Sequence, residues 1–274
     1  MINLFIAVPA YGGKIYAEFT RCLLRLTGEL GARKIGHHVE FLTTESLISR
    51  GRNTLIAQFY SNPQYTHILF LDADLLFSHI AIIKMIVRQK EIIACPYPKK
   101  MYNANKLDEL ISSGSNGSQI LGDEQMLLTD MNYNFINEDE GCADCSLAKD
   151  LPTGCLLIKR SAITAMMLYY KKRQYANNIA GIDPKMFNYF FDLFGTGVVD
   201  NMYLSEDYYF CFLARSIGLE CFLETGFTFG HIGSITYYGN LKQQLDKFGQ
   251  KDGLNLDKNL LHSYNNDNSD NTRN

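Results

Sequence analysis

Two aspartates one residue apart follow the most apolar segment of the chain. Residues 67–71 read HILFL, and Asp72 and Asp74 come directly after them. Two carboxylates at the end of a buried strand repel each other and raise each other's pKa unless a cation satisfies their charge. Mg²⁺ and Mn²⁺ take oxygen ligands and leave positions for water and phosphate oxygens. The pair therefore predicts a divalent metal site; the alternative is a turn residue, Asp72, and a helix cap, Asp74.

A second acidic pair and a histidine are further candidates for the same chemistry. Glu206 and Asp207 follow Ser205 at the start of a predicted helix, where they are either a helix cap or a base that accepts a proton from a hydroxyl. His231 lies between two glycines in FTFGHIGS. Because glycine lets the backbone approach a ligand closely and imidazole is a common metal ligand, His231 is either structural or a third metal ligand.

Basic side chains could bind an anionic substrate. Arg50, Arg52 and Asn53 lie together in SRGRN within a predicted helix, and Lys99 and Lys100 follow a strand end. Guanidinium groups bind diphosphates or base edges in a bidentate manner, and an ammonium near a diphosphate stabilises the charge of a leaving group. A solvated basic surface is the alternative for both groups.

Alternating strands and helices hold these residues. Strands are predicted at 2–8, 38–42, 67–71, 92–95, 156–158 and 222–229, and helices at 14–31, 44–60, from about 78, at 160–170 and at 206–217. The repeated β-α-β order predicts an α/β fold with a mostly parallel central sheet flanked by helices. Ligands of such sheets bind beyond the carboxyl ends of the strands, where Pro9–Tyr11, Asp72–Asp74 and Tyr97–Lys99 are expected.

We expect a single domain over residues 1–262. A chain of 274 residues is long enough to bury one substantial core. Residues 103–150 are polar and are predicted to form an insertion outside the core, on the side of the site where a second substrate would bind. Residues 263–274 have almost no apolar content and are predicted to be a disordered tail.

Composition narrows the classes of partner. With 46% hydrophobic and 20% charged residues, the chain is typical of a globular protein. Its net charge of −3 and pI near 6.1 argue against a nucleic-acid partner. No apolar run reaches the ~18 residues of a membrane span, and no basic region precedes the first apolar stretch.

The cysteines indicate a reducing compartment. Seven cysteines are scattered along the chain, an odd number in a protein large enough to have its own core. This favours the cytoplasm, or the cytoplasm of a host cell if the gene is viral or phage-encoded. Cys142 and Cys145 form a CxxC motif, but a structural zinc site normally needs two such pairs.

The motifs, taken in order, resemble those of a known family. AVPAYGG, RGRN, FLDADLLF, ACPYPKK, LPTGCLLIKR, SEDYYF and FGHIG follow one another over roughly residues 2–240. This series resembles the GT-A fold glycosyltransferases. The order of RGRN, LDAD and the Glu-Asp pair is similar to that of fungal α-mannan mannosyltransferases and family 2-type transferases. The resemblance implies a Rossmann-like GT-A fold.

The resemblance also implies roles for individual residues. Binding of the donor nucleotide is expected from Pro9, Ala10, Tyr11, Arg50, Arg52, Asn53, Asp72, Ala73 and Lys99. The metal, Mn²⁺ or Mg²⁺, is expected on Asp72, Asp74 and His231. Asp207, with Glu206 beside it, matches the acidic pair that includes the base of inverting members, whereas retaining members use a similarly placed acid differently.

Together these patterns predict a metal-dependent glycosyltransferase. The donor is a nucleoside-diphosphate sugar, with a UDP-sugar favoured over a GDP-sugar, and the acceptor is a hydroxyl of a glycan, lipid or protein. Two alternatives remain open: a nucleotidyltransferase that acts on a sugar phosphate and releases pyrophosphate, and an inactive module that binds a nucleotide or carbohydrate.

Overall fold

The computed structural model describes residues 1–135, 144–177 and 181–249, and the predicted tail lies outside these residues. The strands in chain order are β1 (Asn3–Pro9), β2 (Gly36–Leu42), β3 (His67–Leu71), β4 (Leu75–Leu76), β5 (Ile92–Ala94), β6 (Pro98–Tyr102), β7 (Thr129–Met131), β8 (Asn134–Phe135), β9 (Cys145–Asp150), β10 (Cys155–Lys159), β11 (Gly197–Val199), β12 (Met202–Leu204), β13 (Cys221–Glu224), β14 (Thr228–Ile232) and β15 (Thr236–Asn240).

The α-helices alternate with these strands over most of the chain. They are α1 (Ala17–Ala32), α2 (Ile48–Ser61), α3 (His79–Arg88), α4 (Ala104–Ser112), α5 (Gly117–Leu121), α6 (Arg160–Tyr169), α7 (Glu206–Ser216) and α8 (Leu241–Phe248). Short 3₁₀ helices lie at Tyr11–Gly13, Gln125–Leu127, Lys171–Arg173 and Pro184–Tyr189. The predicted α/β class is confirmed.

An eight-stranded sheet, ordered β2-β1-β3-β10-β5-β13-β9-β8, forms the centre of the protein. β1 is parallel to β2 and β3, and β5 is parallel to β13. β10 is antiparallel to both of its neighbours, and β9 is antiparallel to β13 and β8. The expectation of a mostly parallel sheet is therefore only partly correct, because β10 and β9 alter the pairing.

The direction of β10 follows from where the chain enters it. The backbone N–H of Cys95, just after β5, donates to the carbonyl of Cys155 at the start of β10 over 3.0 Å. The chain thus leaves β5 and enters β10 at the same end of the strands. A strand that begins at the end where β5 stops has to run opposite to β5, whereas a helical crossover would have produced a parallel strand.

Two apolar cores cover the two faces of this sheet. One includes Leu26 and Leu30 of α1 and Ile82 of α3; the other includes Leu55 of α2 and Phe210 of α7. The apolar residues of α1 recur at helical spacing, which buries one stripe and leaves the opposite face in water. The helices on both faces leave the strand ends open to a ligand.

The segment 103–150 contributes more to the fold than its polar composition predicts. Its last strand, β9, belongs to the central sheet and buries Ser146, Ala148 and Asp150 on alternate positions. The expectation of an insertion outside the core was therefore wrong for β9. The sequence did not reveal this strand because it has no apolar run. Residues 136–143 lie outside the described part, and so does Cys142 of the CxxC motif.

Two element boundaries also differ from the predictions, and both affect the site. Helix α2 begins at Ile48, not at residue 44, so that Arg50 and Arg52 lie near its start. The predicted strand 222–229 is two strands, β13 and β14. β14 leaves the central sheet and pairs with β15 and β4, which carries His231 towards the end of β3.

Each cysteine of the described residues is a free thiol: Cys22, Cys95, Cys145, Cys155, Cys211 and Cys221. Within the described part of the chain, no helix combines the length and the apolar character needed to cross a membrane.

Phe194→Ala should lower the free energy of unfolding by about 3–5 kcal/mol, because it empties a buried site. Phe194 is fully buried, and its ring stacks on that of Phe210 at 4.5 Å between centroids. Phe187→Ala is the matched control, since Phe187 is 53% exposed, and it should change stability by less than ~0.5 kcal/mol. Urea denaturation of both variants measures the difference; equal losses would contradict the placement of Phe194.

Candidate functional site

A cleft of about 380 Å³ lies beyond the ends of β1 and β3. The structure brings together most of the residues that the sequence singled out. The predicted residues that line it are Pro9, Ala10, Tyr11, Arg52, Asp72, Ala73, Asp74, Glu206, Asp207 and His231. They come from five separate parts of the chain, so that the folded sheet and not the local sequence assembles the site.

The first wall of the cleft is the loop after β1. The N–H of Ala10 donates to the carbonyl of Leu42 over 2.9 Å, which holds the loop beside β2. Gly12 and Gly13 then turn the chain with φ of 75° and 70°, a conformation that other residues adopt rarely. Tyr11 is left 67% exposed at the cleft. Its ring is available to contact a planar ligand.

Arg52 is the most buried charged residue of the cleft. Its Nη2 donates to both carboxylate oxygens of Asp72, at 3.1 and 3.4 Å, and its Nη1 donates to the carbonyl of Thr153 at 3.4 Å. Only 3% of the Arg52 side chain is exposed. The pair thus joins the start of α2 to the end of β3 and to the turn before β10.

The third nitrogen of the Arg52 guanidinium, Nε, remains free for a further contact. Nε is buried without a hydrogen-bond partner, although Glu206 Oε1 lies within ion-pair distance, 3.7 Å away. Burial alone would lower the pKa of Arg52, but the charges of Asp72 and Glu206 outweigh burial and raise it. The guanidinium therefore stays charged and holds two carboxylates in fixed positions.

One carboxylate oxygen of Asp74 contacts both the Lys100 ammonium and the His231 ring. Its Oδ2 lies 2.6 Å from Lys100 Nζ and 3.4 Å from His231 Nε2. Burial would raise the pKa of Asp74, but His231 and Lys100 outweigh burial and lower it to about 2. Asp74 is thus ionised over the whole physiological range.

The orientation of His231 is set by its other nitrogen. Nδ1 lies 2.8 Å from the carbonyl of Pro98, which can only accept, so that Nδ1 carries the hydrogen. The ring packs edge-on against Tyr97 at 5.2 Å between centroids. In the doubly protonated ring, Nε2–H faces Asp74 at 3.4 Å; in the neutral ring, Nε2 carries the lone pair, which is the arrangement that metal-binding histidines show.

Of the three predicted metal ligands, the structure places Asp74 and His231 next to each other. Within the described residues, no group of three His, Cys, Asp or Glu side chains is arranged to hold a metal. Asp72 is engaged by Arg52, whereas Asp74 and His231 lie 3.4 Å apart. Neighbouring ligands of an octahedral ion with ~2.1 Å bonds lie ~3.0 Å apart. Substrate phosphates and water commonly complete such a shell.

The acidic pair at the start of α7 lies next to Arg52, whose Nε is 3.7 Å from Glu206 Oε1. Burial raises the pKa of Asp207, although Ser205 and the N–H of Tyr208, which donates over 2.9 Å, act in the other direction. Burial and the charge of Asp207 raise the pKa of Glu206, while Arg52 opposes them. Carboxylates with raised pKa values in a cleft are suited to accept a proton from a substrate.

Three of the predicted donor-binding residues lie outside the cleft. Arg50 forms an ion pair with Glu45, with Nη2 at 3.0 Å from Oε1. Asn53 holds the backbone of the buried segment after α6, because its Oδ1 accepts from the N–H of Leu193 and of Phe194 at 3.1 and 2.9 Å. Lys99 does not line the cleft, and its charge contributes, after the hydrogen bonds from Asn103 and Lys106, to lowering the pKa of Asp130.

The sequence did not single out several residues that the structure places at the site. These are Lys14, Tyr16, Ile48 and Thr153, which line the cleft, and Gly154. Tyr97 and Lys100, which the sequence placed at a strand end, also lie at the site. A Cβ at Gly154 would lie 2.8 Å from Asp72 Oδ2 and 2.7 Å from Tyr97 Oη, so that a side chain there would displace both. The sequence signal for Gly154 was the Pro-Thr-Gly turn before β10, but the position of this turn at the site depends on β10 being antiparallel.

Comparisons with known proteins do not identify a family. No protein-family model matches the sequence, and no curated protein matches it. Solved structures do match, and one of them is described as "Crystal Structure of A197 from STIV". It has 13% sequence identity and a TM-score of 0.45, with 85% of this chain and 86% of that chain covered. At this level the likeness carries no argument about fold family or function.

Arg52→Met should lower the free energy of unfolding by about 3–5 kcal/mol, because it leaves Asp72 and Glu206 as partly buried charges without their buried cation. Arg33→Met removes the same charge from an ion pair at the surface, where Arg33 is 53% and Glu29 31% exposed, and should leave stability nearly unchanged. Chemical denaturation of the two variants side by side measures the difference. A similar loss in both would show that Arg52 does not organise the cleft.

Glu206→Gln should raise the free energy of unfolding at pH 7 by about 0.5–1 kcal/mol. Because folding raises the pKa of Glu206 above its ordinary value of 4.5, the folded state disfavours the ionised form, and the wild type loses stability as pH rises through that value towards the folded pKa. Below this window both proteins carry a neutral group, so the advantage should shrink. Urea titrations at neutral pH and near pH 4 test this; a constant difference would contradict it.

Proposed function

We propose that this protein is a metal-dependent glycosyltransferase. The donor would be a nucleoside-diphosphate sugar, a UDP-sugar more readily than a GDP-sugar, and the acceptor a hydroxyl of a glycan, lipid or protein. The observation that carries the proposal is the convergence of the loop after β1, the Arg52–Asp72 pair, the Asp74–His231 pair and the acids of α7 in one cleft. Each is weak by itself, and together they match one reaction.

The nucleoside end of the donor would lie against the loop after β1. Pro9 and Ala10 line the cleft there, and Tyr11 offers an exposed ring for stacking on a base. Asp72 lies deeper in the cleft, where Arg52 fixes its carboxylate as an acceptor for a ribose hydroxyl. The cleft volume of about 380 Å³ is within the range of ~300–1,000 Å³ typical of small-molecule sites.

The diphosphate would lie between the cationic side chains and the metal ligands. Asp74 and His231 would hold Mn²⁺ or Mg²⁺, which supplies positive charge that stabilises the departing diphosphate. Lys14 lines the same cleft and adds an ammonium within it. The buried Arg52 contributes positive charge that cannot be lost by deprotonation.

Proton removal from the acceptor would fall to the acids of α7. Asp207 is fixed by two hydrogen bonds at the helix start, from the Ser205 hydroxyl and the Tyr208 N–H. Its raised pKa brings the carboxylate closer to the basicity that a general base needs at neutral pH. Glu206 lies beside it and faces Arg52. The geometry is compatible with inversion, with Asp207 as base, and also with retention.

The compartment we propose is the cytoplasm, including that of a host cell for a viral or phage gene. Four of the free thiols, Cys95, Cys155, Cys211 and Cys221, are buried next to one another in pairs. Neighbouring thiols that remain unpaired are more typical of a reducing compartment.

Purified protein with Mn²⁺ should convert one member of a panel of UDP- and GDP-sugars into the free nucleoside diphosphate, in transfer or in slow donor hydrolysis. Asp74→Asn should lower this rate by about 10²-fold or more, because it removes the anion that holds the metal. Asp246→Asn is the control, since Asp246 is exposed and pairs with Lys242 on α8. Chromatography of the nucleotide products gives the rates.

The same products separate the alternatives. Release of pyrophosphate instead of a nucleoside diphosphate would indicate nucleotidyl transfer. A nucleoside diphosphate that raises the melting temperature without metal, with no turnover of any donor, would indicate an inactive binding module. Wild-type rates in a protein that carries both Asp72→Ala and Asp74→Ala would refute the proposal.

A further inference from the structure

The cation next to Asp74 in this structure is a lysine ammonium. Lys100 Nζ lies 2.6 Å from Asp74 Oδ2, the same oxygen that faces His231 Nε2 at 3.4 Å. The ammonium therefore competes for the oxygen that Asp74 would present to a metal ion. The sequence grouped Lys100 with Lys99 as a candidate for binding a diphosphate, but the resemblance implied only Lys99 among the donor-binding residues.

The stem of Lys100 is packed in place. A Cβ at Gly233 would lie 3.3 Å from Lys100 Cδ and 3.4 Å from the ring of Tyr237. Because Gly233 has no side chain, the lysine stem and the tyrosine ring can both pack against the backbone after β14. The Lys100 side chain is nevertheless 39% exposed, so that its ammonium can leave Asp74 for a nearby anion without moving the backbone.

An ammonium and a divalent ion cannot share this position at low cost. Charges of +1 and +2 at ~4 Å from each other repel by several kcal/mol at the effective dielectric of a protein surface. The negative charges of a diphosphate remove this conflict, because an ammonium has three donors and can bind phosphate oxygens beside the metal.

We propose that Lys100 holds the cation position on Asp74 while the donor is absent and moves onto the diphosphate when metal and donor bind. This inference rests on the proposed function, since it assumes that the cleft takes a metal and a diphosphate. Lys100 then makes metal binding weak in the free protein and couples it to donor binding. Coupling of this kind is reciprocal: the donor tightens the metal as much as the metal tightens the donor.

The test is the affinity of the nucleotide-free protein for Mn²⁺ alone, measured from the electron paramagnetic resonance signal of free Mn²⁺. Lys100→Met keeps the stem and removes the charge, and it should bind Mn²⁺ about tenfold more tightly than the wild type. Lys100→Arg keeps the charge and should restore weak binding. Lys99→Met removes the same charge one residue away, where the side chain acts on Asp130, and should match the wild-type affinity.

The transfer assay separates this inference from the proposed function. Lys100→Met that binds Mn²⁺ more tightly but transfers about tenfold more slowly supports both. Unchanged or weaker Mn²⁺ binding in Lys100→Met, or equal tightening in Lys99→Met, overturns the role of Lys100 even if the wild type transfers sugar. Tighter Mn²⁺ binding in Lys100→Met without turnover of any donor supports the role of Lys100 and counts against the glycosyltransferase. Failure of every variant to bind Mn²⁺ overturns the inference.

Discussion

The ion pair between Arg52 and Asp72 is the interaction on which the rest of the cleft depends. It joins the start of α2 to the end of β3, and the same guanidinium reaches the carbonyl of Thr153 and the carboxylate of Glu206. A buried ion pair adds little net stability compared with apolar packing, but the loss of one partner is costly. What Arg52 contributes is position: it fixes two carboxylates that would otherwise repel each other.

The other charges of the cleft are arranged around this pair in two groups. On one side, Asp74 is balanced by Lys100 and His231, and on the other, Glu206 and Asp207 are held by the helix start and by Arg52. The first group has a strongly acidic carboxylate, whereas the second has carboxylates with raised pKa values. One cleft therefore contains carboxylates of different basicity, as the proposed reaction requires of its metal ligand and its base.

Most of the fold could be predicted from the sequence where the hydrophobic period was strong. The strand HILFL was placed at its observed bounds, and α1, α6 and α7 were placed within a few residues. The failures lie where the period was weak or the direction was not local. β9 reads CSLAKD and has no apolar run, and β10 is antiparallel because of the end of the sheet at which the chain enters it. Because the direction of β10 was not predicted, the role of Gly154 was not predicted either, since its turn lies at the site only if β10 is antiparallel.

By itself, the sequence determined the types of charged residue, their order along the chain and the strand ends at which they lie. It grouped neighbours of one type, Arg50 with Arg52 and Lys99 with Lys100, and preferred Lys99. Only the tertiary structure decided which member of each pair reaches the cleft. Residues two apart on a helix are separated by about 200°, and neighbours on a strand point to opposite faces. Which face meets the cleft depends on packing against the rest of the sheet, and here Arg52 and Lys100 face the carboxylates of Asp72 and Asp74.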